Sequence, residues 1–89
     1  MDIESLRNEI DATDREIASL ISHRYDLTDA IGAIKKTGGK TVRNPEREKV
    51  VIENAKNAAD SRYEDEIQAI FEQIIALSRN RQENMIEES

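Results

Sequence analysis

Five polar residues, Arg24, Lys35, Glu48, Ser78 and Gln82, stand where the surrounding pattern calls for apolar side chains. Arg24 occupies an a position of a heptad pattern, between Leu20 and Leu27. Lys35 follows eleven residues later, about 20° around a helix, so the two cations share a face. Arg7 borders the same pattern but is turned roughly 80–100° from that pair, toward a different pocket, a partner chain's among them. Glu48 begins the stripe Ile52, Ala55 and Ala59, and Ser78 and Gln82 extend the stripe of Phe71 and Ile74. Charged groups are rarely buried unless paired or used. Each residue also has an ordinary reading. An arginine at an a position can fix register or snorkel to water. Glu48 can serve its helix dipole or pair with Arg24, and Arg47 reads as a surface residue. Their convergence is the stronger signal. Several cations, one carboxylate, a serine and an amide suit a small anionic ligand that also carries a hydroxyl.

The chemistry open to such a pocket is narrow. The 89-residue chain has no cysteine and one histidine, which excludes a disulfide framework, a thiolate metal site and a cysteine nucleophile. His23 lies outside the seam and reads as solvated, as do Asp11, Asp14 and Asp65, so histidine general-base work has no obvious residue. Fixed cations in a partly dry site hold a polyanion in one conformer and stabilise charge that develops on it. That favours rearrangement or elimination of a carboxylate-rich substrate over hydrolysis. A net charge of −6 and 3% aromatics oppose nucleic-acid binding. No apolar run approaches a membrane span and the first residues lack a signal-peptide core, so the expected location is cytoplasmic.

Three helices must position these residues. Ile3, Leu6, Ile10, Thr13, Ile17, Leu20, Arg24, Leu27, Ile31 and Ile34 alternate three and four apart, an a/d seam over residues 3–34. Lys35 and Lys36 suit the end of that helix, and Gly38 or Gly39 closes it. Asn44 caps a second helix with Pro45 in its first turn and an apolar face of Val51, Ile52, Ala55, Ala58 and Ala59. The run Ser61-Arg62-Tyr63-Glu64 reads as a capping box for a third, with a stripe of Ile67, Ile70, Phe71, Ile74, Ile75 and Leu77. The helices fall at about residues 2–37, 45–59 and 62–86, and residues 83–89 read as a fraying tail. The whole chain, 1–89, reads as one all-α domain.

Length forces a further step. A helix of some 35 residues spans roughly 52 Å, whereas a compact globule of this size has a radius of gyration near 12 Å. Two shorter helices cannot cover the seam, and a two-fold dimer is the simplest symmetry that does. The expected fold is an intertwined helical homodimer.

These residues resemble the all-helical chorismate mutases, small intertwined dimers that convert chorismate to prephenate in aromatic amino-acid biosynthesis. The resemblance spans about residues 3–82 and rests on Leu6-Arg7, Ile10-Asp11, Asp14, Arg24, Gly32 with Lys35, Val42-Arg43-Asn44-Pro45-Glu46-Arg47-Glu48, Ser78 and Gln82. It implies that Arg7 crosses from the partner subunit to one substrate carboxylate and Arg24 binds the other. It implies that Lys35 contacts a carboxylate and the ether oxygen, Gln82 contacts the same oxygen, and Glu48 takes the ring hydroxyl. Arg47 and Ser78 match lesser pocket-lining positions. The implied reaction is a concerted [3,3] shift, with no covalent intermediate and no cofactor or metal. Asn44 departs from the pattern, standing where the family commonly carries aspartate. Asn caps as well as Asp, so the expected cost is in affinity rather than in folding or in activity as a whole. An isochorismate pyruvate-lyase shares the fold and the cationic pocket, although the loop over residues 37–43 has the length of a mutase loop. A non-catalytic dimeric binding module is the alternative from another class.

Overall fold

The computed structural model describes residues 2–39 and 43–87. Helix α1 runs Ile3–Gly38, α2 runs Pro45–Ala58 and α3 runs Glu64–Glu87, with a 3-10 turn at Ser61–Tyr63. The three-helix, all-α expectation holds, and the described residues contain no strand. Residues 40–42, which include Val42 and part of the 37–43 loop, lie outside the described residues.

Local chemistry explains most of the boundaries. The Asp2 carboxylate accepts the Ser5 backbone N–H at 2.7 Å and starts α1. That hydrogen bond holds the Asp2 carboxyl below its ordinary range. Of the two candidate glycines it is Gly39 that ends the helix, with φ +67° and its N–H donating to the Lys35 carbonyl, a left-handed conformation that costs glycine little. The Asn44 side chain accepts the Arg47 N–H at 3.1 Å and Pro45 follows it into α2.

Two expectations need correction. Ser61 does not cap the third helix. The chain first tightens into the 3-10 turn, so the cap falls one residue earlier, on Asp60, which accepts the Arg62 N–H at 2.9 Å. The Arg62 guanidinium also grips that carboxylate and depresses its pKa. Nor does the chain fray from residue 83, because α3 continues to Glu87 with Met85 and Ile86 half-buried and Met85 against Gly32 of α1.

Packing places α3 between the other two helices. The hairpin of α2 and α3 is antiparallel, with Lys56 meeting Gln68 (3.0 Å) and Glu64 (3.6 Å) at one end and Glu48 meeting Arg79 (3.0 Å) at the other. The C-terminal half of α3 then follows α1 in the same direction. Arg81 clamps Asp29 through both carboxylate oxygens at 2.7 and 2.9 Å, and its guanidinium lies 5.8 Å from the centre of the Tyr25 ring.

The molecule is elongated, 54 × 24 × 14 Å, with a radius of gyration of 16.1 Å. No apolar side chain is buried among the described residues. Gly32, Ser78 and Gln82 are the buried ones, and they meet where α1 and α3 pack. Every residue from 2 to 20 is exposed, and the seam stays open along its length, with Leu20 at 66% and Ile34 at 68% exposure. No helix of the described residues is long and apolar enough to cross a membrane.

Candidate active site

A cleft of about 180 Å³ opens beside the buried crossing of α1 and α3. Helix α1 contributes Arg24, Thr28, Ile31 and Lys35 to its walls, successive residues on one face at helical spacing. The start of α2 contributes Asn44, Arg47, Glu48 and Val51, and α3 contributes Ile75, Ser78, Arg79 and Gln82. The cleft thus gathers seven of the eight residues singled out in the sequence. The eighth, Arg7, is exposed on the N-terminal half of α1 and does not line the cleft of its own chain.

Hydrogen bonds fix the orientation of several walls. Arg24 Nη1 donates to Ser78 Oγ at 2.9 Å, and Ser78 in turn donates to the Ile74 carbonyl at 2.8 Å. The serine hydroxyl therefore has its proton committed to the backbone, and its contribution is to aim the guanidinium. Ser78 is a neutral partner, so it leaves the charge of Arg24 uncompensated. No carboxylate pairs with Arg24 or Arg47 among the described residues. Gln82 Nε2 donates to the Thr28 carbonyl at 3.2 Å. An amide nitrogen carries two protons, and one remains for an acceptor in the cleft.

Glu48 does not pair with Arg24. Its Oε2 accepts from Arg79 Nη1 at 3.0 Å, and both side chains are about a quarter exposed, at 22% and 26%. Arg79 was not apparent as a site residue in the sequence. In the run Ser78-Arg79-Asn80-Arg81 it has the signature of a solvated helix face, and no spacing rule separates it from its neighbours. Thr28 was equally hidden, because it acts through its main-chain carbonyl. Gly32 was part of the pattern, and the structure gives its reason. A Cβ built there would sit 3.3 Å from Gln82 Cγ and 3.3 Å from Met85 Sδ, so the missing side chain lets α3 approach and Gln82 reach Thr28.

Among the described residues four cations, one carboxylate and two amides thus surround an apolar floor of Ile31, Val51 and Ile75. Such a cleft can hold a compact polyanion with an apolar body, and can donate hydrogen bonds and positive charge where electron density builds up. These are the features of a helical anion-binding site without an evident nucleophile. The chain matches the chorismate mutase type II family over residues 6–83, and it belongs to that family. No curated protein and no solved structure matches the chain.

Proposed function

We propose that the protein isomerises chorismate to prephenate, as an intertwined homodimer whose two sites each borrow Arg7 from the partner. The observation that carries this reading is the convergence of Arg24 and Lys35, Arg47 and Glu48, and Gln82 on one cleft, from three different helices. Membership of the family supplies the reaction class.

Chorismate is a dicarboxylate with a ring hydroxyl and an enolpyruvyl ether. Arg24, aimed by Ser78, takes one carboxylate and the partner's Arg7 takes the other, holding the enolpyruvyl arm over the ring. Ile31, Val51 and Ile75 pack against the ring, and Glu48 accepts its hydroxyl. The new C–C bond forms as the ether C–O bond breaks, in one step with no proton transfer. Negative charge grows on the ether oxygen, where Lys35 and the second Gln82 N–H meet it. Donors fixed before the charge develops lower the barrier without reorganising.

The open seam supports the dimer. A cleft of about 180 Å³ is smaller than the roughly 300–1,000 Å³ typical of ligand sites, which supports a second wall drawn from another surface. Closing the seam of α1 against its symmetry mate supplies that wall and covers Ile10, Ile17 and Leu20.

The test is product analysis with chorismate and, separately, isochorismate, with Lys35→Ala as control. Prephenate formed by the wild type and lost in the variant supports the reading. Faster release of pyruvate and salicylate from isochorismate moves the protein to a lyase, and turnover of neither leaves a binding module. Crossing of Arg7 is tested by mixing inactive Arg7→Ala and Lys35→Ala subunits. About a quarter of wild-type activity should return, because half the dimers are mixed and each has one intact site.

A further inference from the structure

The Arg79–Glu48 pair poses a problem that the reading above leaves open. Glu48 lies in the first turn of α2, in a cleft that also holds Arg24, Lys35 and Arg47. A glutamate has several rotatable bonds, and an untethered carboxylate among such cations is a ligand for them. It would compete with the substrate's own carboxylates for Arg24 and Arg47, which no carboxylate neutralises among the described residues. Asn44, a neutral side chain on the same wall, adds no such competition. Glu48 is the one carboxylate in the cleft among the described residues, so its position decides how many cations remain for a dianion.

We propose that Arg79 is a positioning residue that holds Glu48 against α3, keeping its carboxylate off the ligand-binding cations and leaving one oxygen to accept the ligand's hydroxyl. The geometry is suited to this. Arg79 Nη1 engages Oε2 alone, at 3.0 Å, which leaves Oε1 for a second donor. The guanidinium is adjacent in sequence to Ser78, so one turn of α3 orients both Arg24 and Glu48, the first through Ser78 and the second through Arg79. The pair also ties the start of α2 to α3, across a separation of 31 residues. Charge-assisted hydrogen bonds of this kind are strong enough to select one rotamer, and the partial exposure of both groups leaves room for the ligand to reach the carboxylate.

The inference rests on the proposed activity and is tested with chorismate in a double-mutant cycle of Arg79→Gln and Glu48→Gln, each variant checked for helicity and Tm. Arg79→Gln should raise KM about 10-fold and leave kcat within about 2-fold, because a freed carboxylate blocks binding of ground state and transition state alike. In the Glu48→Gln background the same change should alter KM less than 2-fold, because nothing remains to be held. Arg79→Lys, which keeps a point charge, should restore KM to within about 3-fold of wild type. Should Arg79→Gln fail to fold, Arg79→Met, which keeps the packing of the stem, takes its place in the cycle. An undiminished KM increase in the Glu48→Gln background overturns the proposal and makes Arg79 a direct substrate ligand. An unchanged KM, or a fall in kcat that tracks a fall in Tm, overturns it in favour of a purely structural ion pair. A wild-type protein without turnover removes the proposed activity and this inference together, whereas an active wild type with an additive cycle removes the inference alone.

Discussion

The two halves of α1 carry one continuous heptad pattern whose apolar residues stay exposed throughout, Leu27, Ile31 and Ile34 included, yet the two halves differ in what else they meet. In the N-terminal half, Ile3, Leu6, Ile10, Ile17 and Leu20 are all exposed, and none of the described residues covers them. In the C-terminal half, Arg24 bonds Ser78, the Thr28 carbonyl receives Gln82, Asp29 is clamped by Arg81, and Gly32 is buried against α3. One half is exposed throughout, while the other leaves its seam residues open and fits α3 closely through polar groups and Gly32. The protomer's described tertiary contacts are therefore concentrated where its site is, and its apolar seam is open to the second copy proposed above. Burial of a Leu or Ile contributes about 1.5–3 kcal/mol, so closing the seam outweighs anything the single chain's surface ion pairs provide.

That contrast can be broken most violently in the open half. Leu20→Asp should abolish association and, with it, the folded state, at a cost of more than about 3 kcal/mol per chain, because a charge would be buried unpaired. Sedimentation and circular dichroism over a dilution series would check this, and a monomeric, fully helical variant would contradict it. The second prediction falls in the fitted half and has the opposite character. Arg24→Leu should keep or raise Tm, since buried charges stabilise poorly, while cutting kcat/KM for chorismate by about 10²-fold or more. Parallel thermal melts and kinetics would separate the two, and a sharp loss of Tm would mean that Arg24 is a structural residue. Gly32→Ala probes the fit at finer scale. The added methyl meets Gln82 and Met85 at 3.3 Å, so these side chains must shift by a few tenths of an ångström. A loss of roughly 3- to 10-fold in kcat is expected, with Tm little changed because alanine favours the helix.

The smallest effect concerns the outer edge of the fitted half. The Arg81 guanidinium holds the Asp29 carboxyl below its ordinary range. A group whose pKa is depressed on folding stabilises the fold above its unfolded pKa, and that contribution is lost as pH falls through the folded value. Asp29→Asn should therefore lower Tm by a degree or two at pH 7 and leave it unchanged well below pH 4, where wild-type Asp29 is protonated as well. A Tm difference that persists at low pH would mean that the contact is one of packing rather than charge.

Much of the candidate site was legible because a polar residue on an apolar face is conspicuous in one dimension. Arg24 interrupts a stripe, Glu48 begins one, Ser78 and Gln82 extend one, and Lys35 shares the face of Arg24, as the periodicity of each helix shows. Arg79 interrupts nothing. It lies in a polar run, and a charged residue in such a run looks the same whether it meets water or a neighbouring helix. The pairing was misread for a related reason. Periodicity brings Arg24 and Glu48 to inward faces but carries no distance between helices, so it could not show that Ser78 and Arg79 lie closer to them. The cap at Asp60 and the half-burial of Met85 and Ile86 in the tail escaped for a third reason. A capping box and a polar tail are local signals, and here a 3-10 turn and the contact of Met85 with α1 overrode them.

The sequence by itself determined three helices, an apolar seam too long for its own chain to cover, and a polar face that gathers cations, because hydrophobic period and capping chemistry are properties of neighbours along the chain. Tertiary structure decided which cation holds the carboxylate, which carbonyl orients the amide and which glycine lets two helices touch. Those are relations between residues 31 to 54 apart, and they exist only once α3 has packed between α1 and α2.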